Sequence, residues 1–189
     1  MKFCKSLSLV LLGIIFLIIG GSATRVNCST IKVPSRVGVP ESLKIETDSS
    51  ILGILEYEDF YLAVRRILTR VGAAYCLEDN KDYPTGEVFE VEGKVNEDIA
   101  RVLAVGYPCK SAEELGLKSN DDAYLATQIA IWSINEGYSV YDFRDENKDV
   151  LKAIINIYEN SKSVDLSKVE DVFIEYYLND SLQRIVVKM

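Results

Sequence analysis

The sequence predicts an α+β domain, with short β-strands at both ends and a helical middle. Three observations carry that expectation. Short extended runs broken by Pro34, Gly38 and Pro40 precede residue 57, three segments with helix-capping residues lie between Asn96 and Glu159, and two apolar runs flank Asn179-Asp180-Ser181 near the C-terminal end. A chain of 189 residues, 48% hydrophobic and 26% charged, has material for one sizeable core and so for a single compact domain.

Taken in order, Thr30 to Val33, Leu43 to Glu46 and Ile51 to Leu55 read as short strands. Phe60, Ala63, Val64, Ile67, Leu68 and Val71 fit one face of a helix over residues 59–71, although their β-branched content also admits a strand. Ala73 to Leu77 reads as a buried strand, Asp79 to Gly86 as a turn around Pro84, and Glu87 to Glu92 as a strand with acids alternating against Val88 and Val91. Asn96 caps a helix through Ile99, Val102 and Leu103 that stops at Gly106 before Pro108. Ser119 and Asp122 open a second helix, which runs to Asn135 and ends at Gly137. A third spans Glu146 to Glu159, with Val150, Leu151, Ile154, Ile155 and Tyr158 on one stripe. Val169 to Leu178 and Leu182 to Val187 form a closing hairpin.

The N-terminus points outside the cytoplasm. Lys2 and Lys5 precede an almost wholly apolar run from Leu7 to Ile19, shorter than the ~20 residues a membrane span needs, and Gly21-Ser22-Ala23 supplies the small residues of a cleavage site. The expected organisation is a signal peptide over residues 1–23, a leader with the first strands over 24–50, and the patterned domain over 51–189. The chain is then secreted or held at the cell surface. An uncleaved anchor, with the apolar run extended to Ala23, is the other reading and leaves N-terminal membrane attachment open. A lipid anchor at Cys28 is weakened by Asn27, where a small residue is wanted. The chain ends at Met189 without a sorting motif or a second apolar run, which fits either a fragment or a minimal protein released or held by its N-terminus.

Composition removes several chemistries. The formal charge of −8 repels a phosphate backbone, so no nucleic-acid partner is expected. There is no histidine at all, which excludes a Ser-His-Asp triad, a Cys-His pair and any His-bearing zinc site. A carboxylate base could in principle serve a recycling cysteine nucleophile, but the missing imidazole disfavours an enzyme of that kind. No metal or cofactor is called for. Of the four cysteines, Cys4 leaves with the signal peptide and Cys28 lies in the leader, while Cys76 and Cys109 fall in the domain, where a disulfide between them is one possibility for an exported protein.

One residue is out of place. Gln128 stands in the apolar stripe of its helix, among Tyr124, Leu125, Ile131 and Trp132, where a neutral amide costs free energy unless both its ends find partners. It is either hydrogen-bonded structure or chemistry. Cys76 poses the same choice, since a cysteine in an apolar strand is usually a small inert hydrophobe.

Tyr75-Cys76-Leu77 resembles the aromatic-Cys-hydrophobic motif of the bacterial surface thioester domains found at the tips of Gram-positive adhesins, and Thr127-Gln128-Ile129-Ala130-Ile131-Trp132 resembles their Thr-Gln-x-Ala-Ile-Trp motif. Gly106-Tyr107-Pro108 is similar to a third landmark of that family, and the resemblance covers roughly Ile51 to Gln183. It implies a thioester-type fold and an internal bond between the Cys76 sulfur and the Gln128 side-chain carbonyl, formed with loss of ammonia. It further implies attack on that bond by a lysine of a host or surface protein, or by a small primary amine, in a single covalent capture without turnover. Tyr75, Tyr107, Thr127 and Trp132 are then the residues that shield or position the bond, as large or well-placed groups that keep water out. Ordinary aromatic core is the competing account of each aromatic. Two rivals remain: a non-covalent extracellular binding module of the same fold with a structural or disulfide-bonded Cys76, and the recycling nucleophile. Neither Cys28 nor Cys109 has a role in the family picture.

Overall fold

The computed structural model describes residues 38–189. The apolar run at residues 7–19, the cleavage site after Ala23, the strand expected at Thr30 to Val33, and Cys4 and Cys28 lie outside the described residues. No helix among the described residues is long and apolar enough to cross a membrane.

Among the described residues, seven antiparallel strands and three α-helices form the α+β class expected. The strands are β1 (Ser42–Tyr57), β2 (Phe60–Leu68), β3 (Ala74–Cys76), β4 (Glu87–Lys94), β5 (Phe143–Arg144), β6 (Phe173–Tyr177) and β7 (Ile185–Lys188). The helices are α1 (Glu97–Val105), α2 (Asn120–Glu136) and α3 (Lys148–Ser161). In the sheet the order is β2-β3-β7-β6-β4-β1-β5, and an additional β1–β2 pairing closes the circuit.

The segment read first as a helix, residues 59–71, is β2. It turns back from β1 at Glu58, whose φ is +50°, and pairs with it from Tyr57↔Phe60 to Glu46↔Leu68. The physical reason lies in the alternation: Leu62, Val64 and Ile67 are buried while Tyr61, Ala63 and Leu68 are exposed, a period that fits a half-buried strand once a partner strand is available. The two pieces expected at Leu43 to Glu46 and Ile51 to Leu55 are one strand, β1, with register shifts between Thr47 and Gly53. Position 50 therefore lies within a strand, and the sheet begins at Ser42. β5 has no counterpart in the expected elements. It is two residues long and pairs with the end of β1 through Glu56↔Arg144 and Tyr57↔Phe143.

The helices stand close to their expected places. The Asn96 side chain accepts from the Ile99 N–H at 2.9 Å and the Ser119 hydroxyl from the Asp122 N–H at 3.0 Å. Gly137 closes α2 at φ +82°, a conformation that favours glycine. α3 starts two residues later than expected, with Asn147 as its cap. α2 is the centre of the molecule: every residue from Ala123 to Ser133 is buried, because α1 and α3 pack on it and β1 and β2 lie against it. A helix covered on all sides presents each of its side chains to a neighbour. Its polar residues must therefore find partners inside the protein.

Candidate functional site

Cys76 and Gln128 meet in the interior. The chain is unbroken between them for 52 positions, yet the Cys76 N–H donates to Gln128 Oε1 at 2.9 Å, and Gln128 Nε2 donates to the Cys76 carbonyl at 2.8 Å. Cys76 is fully enclosed and Gln128 is 1% exposed. The pairing answers a backbone demand of β3. Its bonds to β7 run through Ala73, whose carbonyl accepts from Lys188 N–H, and through Leu77, whose N–H donates to the Arg184 carbonyl. By the alternation of a strand, the N–H and C=O of Cys76 point to the opposite edge. There the Gln128 amide takes the place of a partner strand.

Tyr124 does the same one rung earlier. β2 and β3 share a single pair, Ile67↔Ala74. At that pair the Tyr124 hydroxyl accepts from the Ile67 N–H at 3.1 Å and donates to the Ala74 carbonyl at 2.6 Å. Tyr124 and Gln128 are four residues apart on α2, so they lie one above the other on the face turned to β3. The role of Tyr124 was not foreseen, although its place one turn before Gln128 was the available signal. The stripe in which Gln128 looked misplaced is a row of ladder substitutes.

The other expected residues gather around the pair. Tyr75 is fully buried, its ring stacks on Tyr124 with centroids 4.5 Å apart and planes at 19°, and its hydroxyl donates to the Tyr107 carbonyl. Thr127 ties the Gly106-Tyr107 segment to α2, since its hydroxyl accepts from the Tyr107 N–H at 2.9 Å and donates to the Ala123 carbonyl at 2.8 Å. That approach requires a glycine beside it: a Cβ on Gly106 would come within 2.7 Å of the Thr127 methyl carbon. Tyr107 itself is half-buried and precedes a cis Tyr107–Pro108 bond. Trp132 is 1% exposed, one turn beyond Gln128, and its indole nitrogen is buried without a hydrogen-bond partner. Cys109 is an unbonded, half-buried thiol, and Cys76 is unbonded as well.

The electrostatics keep the Cys76 thiol neutral. Burial pushes its pKa well above the ordinary thiol range, and the nearby Glu78 carboxylate adds to the rise. Glu78 is buried just beyond the end of β3 and is matched with cations. Its carboxylate accepts from the Arg184 N–H at 2.8 Å and from the Arg184 guanidinium, which also reaches Glu175 at 3.0 Å, while Lys81 lies 3.3 Å away. This network clamps β3 to β7 and β6 directly after the cysteine. Burial also pushes up the Tyr75 and Tyr124 phenols. The site thus brings together a buried cysteine with a neutral thiol and a hydrogen-bonded buried amide.

Residues 73–163 match the thioester domain family model. No curated protein matches the chain. Among solved structures, the fold resembles the Bacillus anthracis TIE protein at 23% identity and a TM-score of 0.61, over 71% of this chain and 29% of that one. It resembles the thioester domain of the Enterococcus faecium TIE86 protein at 16% identity and a TM-score of 0.57, over 80% of this chain and 78% of that one. The N-terminal domain of the Streptococcus pyogenes pilus tip adhesin Cpa aligns at 14% identity and a TM-score of 0.58, over 80% and 95%. The chain thus spans less than a third of the Bacillus anthracis protein and most of the two separate domains. These likenesses are of fold, and one of the proteins that show them is a pilus tip adhesin. Together with the match over residues 73–163, they show a fold like that of the thioester domains that the sequence resembles.

Proposed function

We propose that this thioester domain links the Cys76 sulfur to the Gln128 side-chain carbonyl and that the bond captures a primary amine on a surface outside the cell. The observation that carries the reading is the reciprocal pair of hydrogen bonds at 2.9 and 2.8 Å, which holds the amide carbon next to the residue whose thiol must attack it. The Cys76 N–H is the donor for the oxygen on which charge develops, and it is in place before reaction. With no histidine in the chain, the proton bookkeeping is internal. Sulfur adds to the amide carbon, the thiol proton passes to Nε2, the C–N bond breaks, and ammonia leaves with that proton. A neutral thiol suits this step, because no charged intermediate need persist in the dry interior.

Capture reverses the roles. A neutral amine adds to the thioester carbon, the C–S bond breaks, and a proton from the amine returns to sulfur, leaving an amide on Gln128 and a free Cys76 thiol. The domain is consumed in the event, so it acts as a chemical adhesin rather than as a turnover enzyme. The partner is a lysine-bearing host or surface protein, or a small primary amine. The chain is exported after loss of residues 1–23, and Tyr75, Tyr107, Thr127 and Trp132 shield or position the bond.

Intact mass tests the reading. Wild-type protein is expected to be lighter than its sequence by one ammonia, and Cys76→Ala and Gln128→Ala are each expected to retain it. Methylamine is then expected to add to Gln128 and release a thiol at Cys76, faster as pH rises toward the lysine-like amine pKa of ~10.4, because only the neutral amine attacks. A wild-type mass equal to the sequence mass after processing, in fresh non-reduced protein, overturns the covalent reading and leaves a non-covalent binding module.

A further inference from the structure

The hairpin of β2 and β3 opens like a wedge from its one shared pair, Ile67↔Ala74. Continued in the same antiparallel register, it would set Cys76 opposite Arg65 and Glu78 opposite Ala63. Neither pair forms, and side chains fill the opening instead. Tyr124 takes the first position and Gln128 the second, both fully buried. The third belongs to Tyr83, which no motif singled out: its hydroxyl donates to the Ala63 carbonyl of β2 at 2.9 Å. Unlike the other two, Tyr83 is half-buried, and Ala63 is exposed. The outermost filler of the wedge is therefore the one in contact with solvent.

Tyr83 also has a firm base from which to move. Its neighbour Asp82 is tied to the 181–183 segment on both sides, through Asp82 N–H to the Ser181 carbonyl and Gln183 N–H to the Asp82 carbonyl, each at 3.1 Å, and Pro84 after it is buried. The backbone is pinned on either side, and a single hydroxyl contact spans the opening. The phenol lies near the Cys76 side chain and the Asp79 carboxylate, and burial pushes its pKa up.

Resting on the thioester reading, we infer that Tyr83 is the gate through which the amine reaches the Cys76–Gln128 bond, opening by release of its hydrogen bond to Ala63. A slot one phenol wide, between two strand edges, admits an unbranched primary amine such as a lysine side chain and holds back bulky amines. Closed, the ring keeps water from the thioester. Tyr83 is a positioning residue: it forms no bond to the reacting atoms.

The experiment uses the whole exported chain with Tyr83→Phe and Tyr83→Ala, each first weighed for ammonia loss and then followed by thiol release with methylamine and with tert-butylamine. Both variants are expected to carry the thioester. Tyr83→Phe is expected to react with methylamine roughly two- to tenfold faster, the weight of one lost hydrogen bond. Tyr83→Ala is expected to hydrolyse faster still and to lose much of the preference for methylamine. If ammonia is lost in all three proteins and their rates and preferences coincide, the gate is overturned and the thioester stands. Absence of ammonia loss from wild type overturns the thioester reading. The gate is then judged on the Gln128→Ala background, where Tyr83→Ala is expected to hasten alkylation of Cys76 by iodoacetamide, and equal alkylation with and without Tyr83 overturns it.

Discussion

The two edges of β3 are paired by different means. Toward β7 the strand makes the backbone pairs Ala74↔Val187, Tyr75↔Val186 and Cys76↔Ile185, closed off by the Glu78–Arg184–Glu175 network. Toward β2 it makes one pair, after which Tyr124 and Gln128 supply the donors and acceptors. Both edges satisfy the backbone, which a buried strand must do. Only the second does so with groups that can change. A peptide unit in a ladder is held from both sides along the chain, whereas a side-chain amide can give up its nitrogen and still offer a carbonyl to the same N–H. The difference bears on the proposed chemistry: a strand edge completed by a side chain is where a covalent bond can form without dismantling the sheet.

The largest effect on this contrast is expected at Trp132, one turn beyond Gln128. Trp132→Ala is expected to destabilise the domain by about 3–5 kcal/mol, the usual range for removing a buried tryptophan, measured by denaturant unfolding. In molecules that remain folded, it is expected to shorten the life of the thioester, followed as free thiol. If folded Trp132→Phe and Trp132→Ala both keep the bond as long as wild type, the indole is packing alone, as its unpartnered nitrogen permits.

A smaller break is expected at Tyr124. Replacing it with Phe keeps the ring on Tyr75 but leaves the Ile67 N–H and the Ala74 carbonyl without their bridging hydroxyl. The cost expected is about 1–3 kcal/mol, together with slower ammonia loss, because the apex of the wedge no longer fixes β3 against α2. The control lies on the other edge. Ile185→Val, opposite Cys76 in the backbone ladder, is expected to cost about 0.5–1.5 kcal/mol and to leave ammonia loss unchanged. Equal effects of Tyr124→Phe and Ile185→Val on ammonia loss would erase the distinction between the edges.

The contrast also explains what the sequence could reveal. α1 and α2 announce themselves through local signals, the Asn96 and Ser119 caps and Gly137, because a helix is closed by residues within a few positions of its ends. β2 does not. Its apolar positions fit two periods over a short window, and the choice between them is made by β1, whose pairing with it is a tertiary fact. Gln128 stands out as an amide in an apolar stripe, but only the resemblance of Tyr75-Cys76-Leu77 and the Thr127 to Trp132 segment to thioester-domain motifs pairs it with Cys76. Tyr124 hid among ordinary aromatics, and Tyr83 and Glu78 had no periodicity to violate. Their roles depend on where β2 leaves β3, which no spacing encodes.

The smallest effect is expected at the second thiol. Cys109 is half-buried after the Tyr107–Pro108 bond, near Asp171 and Lys188, which are 3.0 Å apart. Burial first, and the Asp171 carboxylate after it, push its pKa up to about 11, against a partial pull downward from the Lys188 ammonium. The sign is that of any thiol whose charged form is disfavoured: below that pH it is protonated, and the thiolate fraction grows about tenfold for each pH unit on the way up. Labelling by iodoacetamide, read by peptide mass, is therefore expected to be slow at pH 8 and to keep rising past pH 9, where an ordinary cysteine of pKa ~8.5 is already levelling off. Cys109→Ser is expected to move stability by no more than about 0.5 kcal/mol and to leave the ammonia loss of Cys76 and Gln128 intact. A plateau near pH 9 would place Cys109 in a wetter setting than its burial indicates. Persistent ammonia loss in Cys109→Ser together with its disappearance in Cys76→Ala would assign the reactive sulfur to the strand edge that a side chain completes.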